Sequence, residues 1–136
     1  MPIDAVTADK ISNKADTKES DIDNIEEQNM ILDIGKNTVK LIKNEISKSK
    51  TVFWNGPLGV FETSPFDRGT VEIANFISNL TANNKIRSFA GGGDTISALD
   101  LAGVKDNFSY VSTGGGALLE LIEGKKLPGL VALGIL

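Results

Sequence analysis

The chain has 136 residues, 40% of them hydrophobic and 24% charged, with a formal net charge of −4 and neither cysteine nor histidine. That length suits one domain around a single core, and the missing Cys and His exclude disulfides, the common zinc sites and nucleophiles activated by histidine. Basic residues scattered through an acidic chain speak against nucleic acid, no apolar run reaches membrane length, and Met1-Pro2-Ile3-Asp4 opens no signal-like core, so the expectation is a cytoplasmic protein without membrane contact.

Ile3 to Ala8 is apolar enough for a buried strand, whereas residues 9–28 are polar and mostly acidic and read as a long surface loop. Met30 to Ile34 is a second strand ended by Gly35, and Val39, Ile42 and Ile46 recur at helical spacing, giving an amphipathic helix over 36–49. Thr51 to Trp54 is a β-branched and aromatic strand. Ser64-Pro65-Phe66-Asp67 reads as a helix start, with Ser as N-cap and Pro at the first position, and the helix continues through Thr70, Ile73, Ile77 and Leu80 to about Asn83. Further strands fall at Ile86 to Ala90 and Phe108 to Ser112, with helices at Thr95 to Ala102 and around Leu118, Leu121 and Ile122. This alternation of strand and helix predicts an α/β protein whose parallel sheet carries helices on both faces.

Three strand-to-helix turns are rich in glycine: Trp54-Asn55-Gly56-Pro57-Leu58-Gly59, Phe89-Ala90-Gly91-Gly92-Gly93-Asp94-Thr95 and Val111-Ser112-Thr113-Gly114-Gly115-Gly116-Ala117. In a parallel sheet such turns share the rim at the strands' carboxyl ends, and glycine backbones with helix N-termini suit a phosphate. With only Arg68 and Arg87 as arginines, a polyanionic ligand would rely on backbone donors and a bridging metal ion. Neither G-x-x-x-x-G-K-[ST] nor G-x-G-x-x-G is completed. Each turn taken alone also has a plainer reading. Asn55-Gly56 is a common hairpin signal, Glu62 could be solvated or favour a helix start, Asp94 could be an N-cap, and Gly114 to Gly116 could be only a tight turn.

Together the three turns, extended at the first through Val60-Phe61-Glu62 and at the last through Leu118-Leu119-Glu120-Leu121, resemble in order and spacing the carboxy-terminal part of phosphoglycerate kinases. Val6-Thr7-Ala8-Asp9-Lys10, Leu32-Asp33-Ile34-Gly35, Phe66-Asp67-Arg68-Gly69-Thr70 and Leu127-Pro128-Gly129 support it, so the likeness covers essentially the whole chain. It implies a three-layer, mostly parallel, Rossmann-like fold in which 1–136 form the later part of a nucleotide-binding lobe, with residues 125–136 as a tail. The implied reaction is phosphoryl transfer between 1,3-bisphosphoglycerate and ADP, giving 3-phosphoglycerate and ATP, in glycolysis.

By resemblance, Asn55 lies near the nucleotide phosphates, Pro57 and Val60 line base and ribose, and Glu62 accepts from the ribose hydroxyls. Gly92, Gly93, Asp94 and Thr95 hold the phosphates, Asp94 binding magnesium directly or through water. Gly114, Gly115 and Gly116 donate to the phosphoryl group in flight, which makes them the catalytic glycines. The family's other lobe, which binds phosphoglycerate and supplies a catalytic arginine, has no counterpart here, and neither does a phosphate-binding lysine. Ile31 and Lys36 depart from a glycine and a proline found in members of the family, near the adenine pocket. The isolated chain is therefore expected to be inactive, and its apolar tail and uncovered sheet edge to drive self-association. The competing reading is a non-catalytic nucleotide-binding or interaction module on the same scaffold.

Overall fold

The computed structural model describes residues 1–135. Its strands are β1 (Asp4–Ala8), β2 (Lys18–Asp21), β3 (Met30–Ile34), β4 (Thr51–Asn55), β5 (Arg87–Gly91) and β6 (Tyr110–Ser112). Its helices are α1 (Lys36–Lys48), α2 (Arg68–Ala82), α3 (Gly93–Leu101), α4 (Gly115–Ile122) and α5 (Pro128–Ala132). The later strands make a parallel sheet in the order β4-β5-β6, joined through α2 and α3. On one face, Trp54 and Ala90 pack with Ile73, Ala74 and Ile77 of α2 and Leu99 of α3 to form the main core. The next residue along β5, Gly91, turns to the other face, where a Cβ would stand 3.6 Å from Leu118 of α4. Helices thus cover both faces of this sheet.

The first strands depart from the expected parallel order. β1 pairs antiparallel with both β2 and β3, in a separate sheet ordered β2-β1-β3. A parallel return needs a long crossover, usually helical, whereas the segment after β1 supplies only β2 and a single 3-10 turn at Ile22–Asn24. β2 lies within the stretch read as a loop. Its sequence, Lys-Glu-Ser-Asp, is exposed except at half-buried Ser20, so it has no apolar alternation to betray it and carries the charges typical of an edge strand.

The two sheets are tied by buried carboxylates that act as helix caps from a distance. Asp4 on β1 accepts from the N–H groups of Asn37 and Thr38 at 2.8 Å each, closing the start of α1. Burial works against this charge, but the Thr38 hydroxyl and those two N–H groups outweigh it and hold the carboxyl below its ordinary range. Asp33 on β3 is 1% exposed; its Oδ2 accepts the Gly69 N–H at 2.7 Å and its Oδ1 accepts the Ile34 N–H at 2.8 Å. This explains why α2 opens at Arg68 rather than just after Ser64. Phe66 N–H instead closes a turn on the Thr63 carbonyl at 2.9 Å, and the cap comes from β3. Phe66, fully buried, packs with Ala8 and Leu32 in a second small core.

Burial pushes the Asp33 carboxyl up to about 6 despite its two N–H bonds, and the nearby charges of Asp67 and Glu72 add to the rise. The folded protein then binds a proton here that the unfolded chain releases near its ordinary pKa of 3.8. Asp33 therefore favours the fold most at low pH and loses that contribution as pH rises through about 6. Urea unfolding of the wild type and of Asp33→Asn across this window should show the wild-type stability falling more steeply with rising pH, with the difference between the two proteins levelling off above it.

Candidate functional site: a rim of three glycine turns

Parallel registration decides where the turns lie. Gly91 pairs with both Asn55 and Ser112 at the carboxyl ends of β4, β5 and β6, so all three glycine turns leave one rim side by side. Among the described residues β4 pairs in parallel with β5 alone, which removes the hairpin reading of Asn55-Gly56.

The turns are also bonded to one another. Trp54 Nε1 donates to the Gly56 carbonyl within the first turn, and Gly56 N–H donates to Thr95 Oγ1 in the second at 2.7 Å. Gly92 has φ +100°, a conformation that side chains resist, and a Cβ there would come 2.9 Å from Asn55 Oδ1. A Cβ on Gly115 would stand 2.4 Å from the Gly92 nitrogen, so the third turn is seated directly on the second. Gly115 is thus required for packing, in keeping with the tight-turn reading, and the same packing brings the start of α4 beside that of α3.

The first intrahelical bonds of α3 and α4 run from Ile96 N–H to the Gly92 carbonyl at 3.0 Å and from Leu118 N–H to the Gly114 carbonyl at 2.9 Å. The N–H groups of Gly93, Asp94 and Thr95, and of Gly115, Gly116 and Ala117, precede those ladders. Two helix starts thus present donors, and the positive ends of two dipoles, at neighbouring points. Gly93, Asp94, Gly114 and Gly116 are exposed, so the rim is open to solvent.

Asp94 is not the N-cap. Gly92 holds that position, and Asp94 sits in the first turn of α3 with an exposed carboxylate that makes no capping bond. That leaves it available to a cation. Among the described residues no cluster of three or more Asp or Glu side chains could hold a metal, so an ion here would take one protein carboxylate and draw its other oxygens from ligand and water. Magnesium accepts that arrangement.

The remaining candidates divide. Thr95 is 1% exposed and its hydroxyl is engaged with Gly56, so its side chain braces the rim while its backbone N–H faces the helix start. Pro57, in the first turn, is half-buried. Val60 packs on Ala8, Leu32 and Phe66, with its N–H on the Leu32 carbonyl at 2.8 Å, which places it at the seam between the sheets. Glu62 is exposed two residues further on and stands well ahead of Arg68, so it does not serve the start of α2. Asp33, which accepts from Gly69, and Thr70, whose Oγ1 accepts from Leu58 N–H at 3.0 Å, brace the segment beyond the first turn and are not among the sequence-predicted site residues. The one available sign for Asp33 was an acid set inside the apolar strand Met30 to Ile34.

A family model described as "Phosphoglycerate kinase" matches residues 1–125. A phosphoglycerate kinase of Chelativorans sp. is 50% identical over 133 residues, covering 98% of this chain and 33% of that protein. One from Xanthobacter flavus is 47% identical, with 98% and 34% covered. Among solved structures, phosphoglycerate kinase from Coxiella burnetii superposes with a TM-score of 0.84 at 40% identity, over 92% of this chain and 32% of the other. That from Pyrococcus horikoshii OT3 gives 0.79 at 34% identity, over 99% and 32%. The chain spans about a third of the length of these relatives. A match along nearly its whole length, in both sequence and fold, shows that the chain belongs to the phosphoglycerate kinase family.

Proposed function

We propose that this chain supplies the magnesium-nucleotide side of a phosphoglycerate kinase, the reversible transfer of a phosphoryl group between 1,3-bisphosphoglycerate and ADP that gives 3-phosphoglycerate and ATP in the cytoplasm. The observation that supports it most directly is the convergence of two helix starts and three glycine turns on one exposed rim. Phosphoryl transfer asks a protein for position and charge stabilisation rather than for a nucleophile, so a chain without His or Cys is suited to it.

In this reading the N–H groups at the start of α3 hold the nucleotide phosphates, with Asn55 beside them. Those of Gly114, Gly115 and Gly116 meet the phosphoryl group as it moves. Asp94 would hold magnesium, whose charge offsets that of the phosphate oxygens. Pro57 and Val60 take the base and ribose, and Glu62 accepts from the ribose hydroxyls.

The rim's charge also limits what these residues do alone. No Lys or Arg occurs in the three turns. Arg87 opens β5 at the opposite end of the sheet, and Arg68 opens α2. Stabilisation of the moving phosphoryl group would then fall to backbone donors, and the second substrate's site to parts of the family's longer proteins. We further propose that the isolated chain self-associates through its carboxy-terminal end, where Ile122, Val131, Leu133 and Ile135 are 62%, 46%, 72% and 64% exposed.

Titration with Mg-ADP should shift the amides of Gly93, Asp94 and Gly114 to Gly116 saturably; an unmoved rim would reject the reading. Asp94→Ala should remove most of the magnesium dependence of ADP binding, and a variant with unchanged dependence would reject the metal role. In a coupled assay the 136 residues alone should turn over on the order of 10³-fold or more below a complete enzyme. Light scattering at rising concentration should report a dimer or larger species, which a constant monomer mass would contradict.

A further inference from the structure

The stretch from the end of the first glycine turn to α2 is fixed by a closed circuit of bonds. Leu58 N–H donates to Thr70 Oγ1 at 3.0 Å, and Val60 N–H donates to the Leu32 carbonyl at 2.8 Å. Leu32 adjoins Asp33, whose Oδ2 accepts from Gly69, the neighbour of Thr70, at 2.7 Å. Gly59 lies inside the ring on the carboxylate itself, since a Cβ there would stand 2.5 Å from Asp33 Oδ1 and 2.5 Å from the Phe66 carbonyl oxygen. A Cβ on Gly69 would likewise come 2.5 Å from Oδ1. Asp33 and Thr70 are 1% and 0% exposed, so water does not stand in for either acceptor.

At its other end the segment joins the rim through Gly56 N–H and Thr95 Oγ1. The circuit therefore sets how Pro57, Val60 and Glu62 stand relative to the starts of α3 and α4, although none of its members lies on the second or third glycine turn. We propose that Asp33 is a positioning residue for the base-and-ribose end of the nucleotide, a proposal that rests on the nucleotide reading above. Its carboxylate fixes the segment between β3 and the start of α2, while the helix starts that meet the phosphates are built independently of it. Removing the acceptor charge should therefore weaken recognition of the nucleoside and leave recognition of the phosphates intact.

Calorimetric titration of the wild type, Asp33→Asn and Thr70→Val with Mg-ADP and, separately, with magnesium pyrophosphate tests this. The expected result is a loss of about tenfold or more in Mg-ADP affinity in both variants, with pyrophosphate affinity unchanged. Asp33→Asn that keeps its ADP affinity, or that loses both ligands alike, overturns the proposal while leaving the nucleotide reading standing. If Asp33→Asn does not fold, Thr70→Val decides, because it removes one acceptor of the same circuit and keeps the buried volume. A wild type that binds neither ligand overturns the nucleotide reading and this proposal with it.

Discussion

The parallel pairing of β4, β5 and β6 is the constraint from which the site follows. Because Asn55, Gly91 and Ser112 stand in register, every chain reversal after these strands occurs at the same edge, and the helices that follow begin there. Slip one strand by a residue and its glycines would move along the sheet axis while its core residues turned to the other face. Trp54 and Ala90 are buried against α2 and α3, so the hydrophobic core holds the register that the rim requires. Packing and the geometry of the rim are here a single requirement.

The rim keeps its shape without cationic side chains of its own. Gly115 seated on Gly92, and Gly56 bonded to Thr95, turn three separate loops into one contiguous backbone surface. Such a surface presents donors already oriented, so under the proposed reading little ordering would remain for an anion bound there. A full guanidinium would supply more field, but backbone donors are fixed to within the tolerance of the fold.

The parts legible in the sequence were those with a local cause. Short apolar and β-branched runs located β1 and β3 to β6, and helical spacing located α1 and the body of α2; α3 and α4 were found within a few residues, and the glycine clusters located the rim. Two features escaped for physical reasons. β2 is polar on nearly every residue, so no periodicity marks it, and its pairing with β1 gives an antiparallel sheet where simple alternation suggested a parallel one. The start of α2 was placed at Ser64 because Ser-Pro-Phe-Asp is a good local cap, but the operative cap is Asp33, distant in sequence and near in space. Thr95 and Thr70 share that character: a hydroxyl bonded to a backbone N–H some tens of residues away or across a turn leaves no spacing to read.

The indole of Trp54 has one more consequence. It is the only tryptophan in the chain, it is buried at the end of β4, and its ring nitrogen donates to the Gly56 carbonyl within the first turn. The sole strongly emitting chromophore is thereby wired to the backbone of the rim, and any displacement of that turn changes the polarity its excited state senses. The fold thus carries a built-in fluorescent gauge of the rim, readable without a label.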